Sequence, residues 1–440
     1  MASISKTRIP TFLVLCAAFA AAVALFALVD RSAELGPPAP PGDAGNSLAA
    51  AARSTDARIV QLQRAVRAQP QHAEAPAALG LSYLQKVRES GDASFYGRAD
   101  AVLHDALARA PANLDALVGM GELALARHDF RAALGWGERA RAAHPGPLAP
   151  YPILVDADVE LGRYGVAERE LQHLVDLKPS LAAYARVAYL RELHGDLAGA
   201  VAAMGRAVSA GGGAPENVAY VQTLLGNLEF ERGRLAAARR AYGSALAGVA
   251  GYAPAAAGLA QIDAARGRFG RAIARLRRVV ARLPLPQYVV ALGETELAAG
   301  RPRRARRDLA LVRAEQRLLR ANGVDTDVDV ALFQANHGSA ARAVALARRA
   351  WAQAPSTRSA DALGWALTRG GRPVEGYAWG RRALRLGSRD ASMLYHAGMS
   401  AAAARRAPAA RALLRRAIAL NPRFSALYGP RAERALRKLR

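Results

Sequence analysis

Cysteine is all but missing from this 440-residue chain. Cys16 stands alone, so no intrachain disulfide can form and no thiolate cluster can hold a metal. Aromatic residues make up only 6% although the apolar fraction is 52%, the balance being mostly alanine. That composition suits thin, closely spaced helices rather than one large core. The eight histidines are scattered singly, with His104, His128 and His173 read as exposed helix or turn positions. No Gly-rich phosphate loop follows a strand, and no His-Glu metal motif occurs. Asp156 and Asp158 lie two apart on one helix and do not face each other. These absences point away from an enzyme; no catalytic residue, cofactor or metal site is expected.

Repetition is what the sequence has instead. Ala99, Ala133, Ala167, Ala200, Ala238, Ala272, Ala305, Ala343 and Ala410 are spaced by 34, 34, 33, 38, 34, 33, 38 and 67 residues, with Gly376 splitting the last gap. Twelve residues before nearly every one lies a second site, filled by Gly121, Val155, Ala188, Gly226, Ala260, Gly293, Ala331, Gly364 and Gly398, and in the first repeat by Gly80. Paired small sites at a 34-residue period are what a stacked two-helix repeat requires, because helices approach closely only where bulk is missing. Apolar residues recur at three and four spacings between these sites. Pro111, Pro145, Pro179, Pro284, Pro355 and Pro422 fall twelve residues after the second-helix site and end the hairpins. Gly162, Gly195, Gly233, Gly267, Gly300, Gly338 and Gly371 mark the turns between paired helices.

On the pairs Leu79-Gly80, Leu225-Gly226 and Leu292-Gly293, the helix-B alanine, the apolar residue four later (Leu103, Leu171, Tyr242, Leu276, Leu309, Leu414) and the closing proline, the chain resembles the tetratricopeptide repeat proteins. The resemblance implies an all-α solenoid of about ten two-helix repeats over residues 55–428, without enzymatic chemistry of its own. It also implies that the residue after the helix-A small site points into a groove. That series is Leu81, Glu122, Asp156, Tyr189, Asn227, Gln261, Glu294, Leu332, Trp365 and Met399, with Tyr220, Phe230, Asp361 and Tyr395 nearby. None of the series is basic, so a clamp for a peptide's terminal carboxylate is not expected. Acidic ends with amides between suit a neutral or basic peptide, with Tyr189 and Trp365 as anchors.

Outside the array, Lys6 and Arg8 precede an uncharged stretch from Ile9 to Val29, long enough to cross a bilayer. A signal-anchor over residues 1–30 is therefore expected, with the repeats outside the cytoplasm in a bacterial envelope; a cleaved secretory signal is the alternative. Residues 31–54, rich in Pro, Gly and Ala, read as a linker. Residues 429–440 read as a basic helix capping the last repeat. Three insertions break the period, at 86–98, 209–215 and 313–325, and read as spacers or added helical turns.

Charge is uneven. Residues 1–220 hold 21 Lys plus Arg against 22 Asp plus Glu, and residues 221–440 hold 40 against 14, so nets of −1 and +26 give the overall +25. Arg277, Arg278, Arg348, Arg349, Arg381, Arg382, Arg415 and Arg416 recur five and six residues after the helix-B small site, and Arg303 and Arg304 lie in the intervening repeat. Stacking should align them as a ladder on the outer face, either solubilising the solenoid or docking an anionic partner such as an acidic protein, lipid headgroups or an envelope polymer. Aromatics are not interleaved with these arginines along the chain, which argues against nucleic acid. The sequence thus describes a membrane-tethered scaffold that holds partner proteins or peptides for an envelope complex. The alternatives are a basic outer face docking on anionic lipid or polymer, and an accessory subunit of a catalytic partner.

Overall fold

A computed structural model of the chain describes residues 47–211 and 215–439. Among these the regular elements are helices alone, 22 of them. Helix α1 (Ser47–Ala68) leads into ten hairpins: α2 (Glu74–Ser90) with α3 (Ser94–Arg109), α4 (Leu114–Ala126) with α5 (Phe130–Ala143), α6 (Tyr151–Glu160) with α7 (Tyr164–Leu177), α8 (Leu181–Leu193) with α9 (Leu197–Ala210), and α10 (Pro215–Glu231) with α11 (Leu235–Gly248). The series continues with α12 (Ala253–Ala265) and α13 (Phe269–Arg282), α14 (Pro286–Ala298) and α15 (Pro302–Ala321), α16 (Asp327–His337) and α17 (Ala340–Gln353), α18 (Thr357–Arg369) and α19 (Pro373–Ala383), and α20 (Ala391–Ala403) and α21 (Ala407–Leu420). The closing helix α22 (Gly429–Lys438) buries Ala432 against the last hairpin, and Arg411 donates to the Leu439 carbonyl at 2.8 Å.

The paired small sites do what their spacing requires. All nine helix-B alanines are completely buried. A Cβ placed on Gly80 would lie 2.5 Å from Leu103, one on Gly293 2.6 Å from Leu309, and one on Gly398 2.9 Å from Leu414. In these three hairpins the apolar residue four after the helix-B alanine therefore fills the space that the glycine leaves. Between the helices, Gly162, Gly195, Gly233, Gly267, Gly300 and Gly371 take φ between +72° and +80°. That left-handed conformation favours glycine, yet His128 and Arg405 adopt it at the equivalent turns. Gly338 instead has φ −140°, and Ser339 caps the following helix there.

The solenoid winds tightly enough to touch itself. Each contact joins the A–B turn of one hairpin to a loop five repeats further on. His128 Nδ1 lies 2.6 Å from the Asp325 carbonyl, and the Asp325 amide donates to the Arg127 carbonyl at 2.9 Å. Arg131 donates to the carbonyls of Ala352 and Gln353 at 3.0 and 3.3 Å. The Thr357 amide donates to Tyr164 Oη at 2.9 Å, and Asn421 Nδ2 donates to the Phe230 carbonyl at 2.7 Å. Gly162 and Gly195 pack directly on the carbonyls of Pro355 and Gly387. A continuous seam thus closes one superhelical turn on the next. His128, read from sequence as an exposed turn residue, is half-buried within it.

The seam is acidic at its centre. Glu192 and Glu231 face each other and Asp390, with the guanidinium of Arg358 nearby. Burial first, and then the neighbouring Asp390 charge, push Glu192 up to about 8, while Arg358 pulls the other way. The same causes, with Glu192 added, raise Glu231 well above its ordinary range.

The insertion at 313–325 lengthens α15, whose Leu319 is wholly buried in a cluster that also holds Val324, Val279, Leu285 and Tyr288 and runs on into the first repeats. It is the added helical length expected from the sequence, and with the following loop, whose Asp325 amide donates to the Arg127 carbonyl, it forms a strut between turns. The insertion at 209–215 includes residues 212–214, which lie outside the described residues.

The expectation of a single-pass membrane protein with extracytoplasmic repeats is overturned. Among the described residues no helix is long and apolar enough to cross a membrane. The signal-anchor read at 1–30 lies outside the described residues.

Candidate functional site

Winding brings the A helices together around a central lumen. Its open part is a cavity of about 660 Å³, lined by one side each of α10, α12, α14 and α16 and closed off by α2, α20 and the loop before α22. Four residues of the predicted groove row, Asn227, Gln261, Glu294 and Leu332, fall on it in succession, and Tyr220 and Phe230 line the same wall. Helical repetition accounts for this: positions 33 to 38 residues apart occupy equivalent places on neighbouring A helices.

Most polar groups of the wall are held by a neighbour. Asn227 accepts from Tyr242 Oη at 2.7 Å. Glu294 accepts from Tyr428 Oη at 2.9 Å and lies 2.9 Å from His337 Nε2. Glu216 accepts from Tyr252 Oη at 3.2 Å; burial raises its pKa, and the charge of Arg88 works against that rise. Gln261 is exposed to the cavity. Leu224, Ala257, Leu285 and Ala291 supply apolar floor between the polar groups.

The remaining groove candidates lie in packed regions. Glu122 is buried in α4. Asp156 receives both Arg186 Nε at 2.9 Å and Nη2 at 2.6 Å, and Arg186 is itself only 1% exposed. Desolvation raises Asp156 to about 6 even so, against the pull of Arg186. Tyr189 is buried and donates to Glu160 at 3.1 Å. Trp365 is buried, stacks on His396 at 4.6 Å and 16°, and donates through Nε1 to Asn336 at 2.9 Å. Asp361 accepts from or donates to the same His396 at 2.9 Å according to their protonation, and Tyr395 packs against Trp365, Phe424 and Tyr428. The two ends of the row are thus core, and its middle is cavity wall. Sequence reasoning passed over Glu216, Thr223, Thr295 and the 423–428 loop, which also line the cavity. The offset along α10 and α14 that turns Thr223 and Thr295 inward is a helical-face signal; the loop's place depends on the seam and left none.

All ten predicted ladder arginines (Arg277, Arg278, Arg303, Arg304, Arg348, Arg349, Arg381, Arg382, Arg415 and Arg416) are exposed on the B helices. Three are engaged within the molecule. Arg277 donates to Glu296 at 2.8 Å, and Arg349 binds Asp327 through Nε at 2.9 Å and Nη2 at 3.2 Å. Arg382 lies over Trp351 and Trp379 at 4.7 and 5.3 Å. Among the described residues no group of His, Cys, Asp and Glu is arranged to hold a metal ion.

Residues 229–292 match the family model for the tetratricopeptide repeat. No curated protein matches it. Among solved structures, the chain is similar to the Cut9–Hcn1 hetero-tetramer of APC/C, with a TM-score of 0.38, 17% identity, 83% of this chain covered and 63% of that one. It therefore spans under two thirds of that relative's length. A thermophilic tetratricopeptide repeat protein of Thermus thermophilus gives a TM-score of 0.37 at 21% identity over 46% of this chain and 98% of that one. A tetratricopeptide repeat protein of Parabacteroides merdae gives 0.34 at 12% identity over 65% and 98%.

Proposed function

We propose that this chain is a non-enzymatic interaction scaffold that holds a short segment of a partner protein in its lumen, within a larger assembly. The repeat class supports a protein partner, and the cavity of about 660 Å³ is the observation that carries the reading. Sites that enclose a small ligand run to roughly 300–1,000 Å³, so this volume suits a chain end or loop tip of a few residues. The wall selects among them. Glu294 and Glu216 present carboxylates, and Asn227 and Gln261 present amides that both donate and accept. Arg88 and Arg423 line the same wall, so its charge is mixed; a neutral segment held by the amides fits, and so does a basic one that meets Glu294 and Glu216.

The test is site-specific photocrosslinking of the full chain in cell extract. A crosslinker at Gln261 should capture one discrete partner, and the same group at Leu177, which is 58% exposed on the outside, should not. Glu294→Lys should suppress the Gln261 adduct. Equal labelling at both positions, or an adduct indifferent to Glu294→Lys, removes the lumen from consideration.

A further inference from the structure

A second concavity lies on the far side of α12 from the lumen. It is lined by Arg239 of α11, Asp263 of α12, and Arg271, Ala274, Arg275 and Arg278 of α13. On α13 the three arginines stand at i, i+4 and i+7, which is one stripe of a helix. Asp263 is two residues, and so about 200° around α12, from the lumen-facing Gln261. Charge in this recess is unbalanced. Helices α11, α12 and α13 together hold a single acidic residue, Asp263. It is buried, 3.6 Å from Arg239 Nη2 and 3.7 Å from Arg275 Nη2. Both separations exceed the ~2.7–3.2 Å of a hydrogen bond, so the carboxylate is shared between two guanidinium groups without closing on either. Arg275 Nε is buried without a hydrogen-bond partner. The other two arginines of α13 are engaged elsewhere: Arg277 donates to Glu296 at 2.8 Å, and Arg282 to the Gly251 carbonyl at 2.9 Å. Four guanidinium charges less one carboxylate leave the recess at +3.

We infer that this recess binds a phosphate monoester group. Such a group brings a charge of about −1.5 to −2 at pH 7 and three acceptor oxygens on one phosphorus. Guanidinium forks take those oxygens in pairs, and arginines converging from two helices can do so from more than one side. A carboxylate brings one charge and two oxygens, and Asp263 already supplies one of that kind. A phosphodiester, as in a lipid headgroup or a nucleic-acid backbone, also carries only one charge. No aromatic side chain lines the recess to stack a base. The doubly charged monoester is the oxyanion that most nearly neutralises the site.

The probes are inorganic phosphate and a fluorescent phosphoserine peptide, titrated with the full chain at fixed ionic strength. The same peptide with glutamate in place of phosphoserine, and phosphatidylglycerol vesicles, serve as singly charged comparisons. The phosphopeptide should bind at least about tenfold more tightly than the glutamate peptide, and inorganic phosphate should compete with it. Equal affinity of the two probes assigns the site to the free anion, and a tighter phosphopeptide assigns it to a group borne on protein. Arg271→Gln with Arg278→Gln, both at exposed positions, should weaken phosphopeptide binding at least about tenfold with unchanged far-ultraviolet circular dichroism. The same pair of changes at Arg415 and Arg416, outside the recess, should leave it unaltered. Asp263→Asn removes the competing carboxylate and should tighten binding, which damage to the fold would not do. The lumen adduct at Gln261 should survive in the Arg271/Arg278 variant, which separates this site from the scaffold reading. No saturable binding of either probe, or binding indifferent to the Arg271/Arg278 change, would overturn the proposal. A glutamate peptide or vesicle bound as tightly as the phosphopeptide would overturn the assignment to a monoester.

Discussion

At the scale of single residues, the fold rests on atoms that are not there. Gly226 and Gly258 both face the ring of Tyr242, from its own hairpin and from the next, and a Cβ on either would overlap that ring. Gly226→Ala should therefore destabilise the protein by about 1–3 kcal/mol, the range for forcing an extra carbon into a packed core. Adding Tyr242→Leu should recover part of that loss in the unfolding midpoint. A single variant as stable as the parent would show that the helices separate more easily than their packing indicates. Gly226 was legible in sequence because a missing side chain repeats as visibly as a present one. Arg186 was not. An arginine within α8 reads as a solvated residue, and only the inward turn of α6 brings Asp156 to meet it.

Among the elements, α15 shows how a break in the repeat can be more informative than the repeat itself. The extra residues after Val312 were readable as added helix, but the loop that follows them meets Arg127 and His128, the latter 197 residues from Asp325 along the chain. Leu319→Ala removes a wholly buried side chain from the junction between turns and should cost about 2–5 kcal/mol. Limited proteolysis should then cut first in the loop around Gly323, with the hairpins on either side still helical. Unchanged protease resistance would mean that the strut carries no load. The predicted groove divides along similar lines. Its middle, Asn227 to Leu332, could be read from helical register alone. Its ends could not, because Trp365 and Tyr395 are claimed by His396, Phe424 and Tyr428, which no periodicity connects to them.

For the whole molecule, the seam makes stability depend on pH. Glu192 carries a raised pKa, about 8, where an unfolded glutamate titrates near ~4.3, and Glu231 shifts in the same direction. The folded state thus binds more protons than the unfolded one between these values. The contribution is fully present below the unfolded pKa and is lost as pH rises through about 8. Asp390, itself raised by burial, adds to the repulsion, while Arg358 and His396 moderate it; Asp361 faces the same group. Unfolding midpoints should accordingly fall between pH 6 and 9, and Glu192→Gln should flatten that slope. A steeper slope in the variant would place the titrating group elsewhere.

The seam also bears on how such a chain can change in length over generations. An open solenoid tolerates gain or loss of a repeat, since each unit touches only its neighbours. Here Tyr164 must meet Thr357, and Phe230 must meet Asn421, at separations of 193 and 191 residues. Deleting or duplicating one hairpin between them would slide every turn past its matching loop by a full repeat. His128 would then face a loop without Asp325, and the lengthened α15 would point away from its pocket. Repeat number in this protein is therefore coupled to repeat phase, and variation in length is admissible only outside the closed coil.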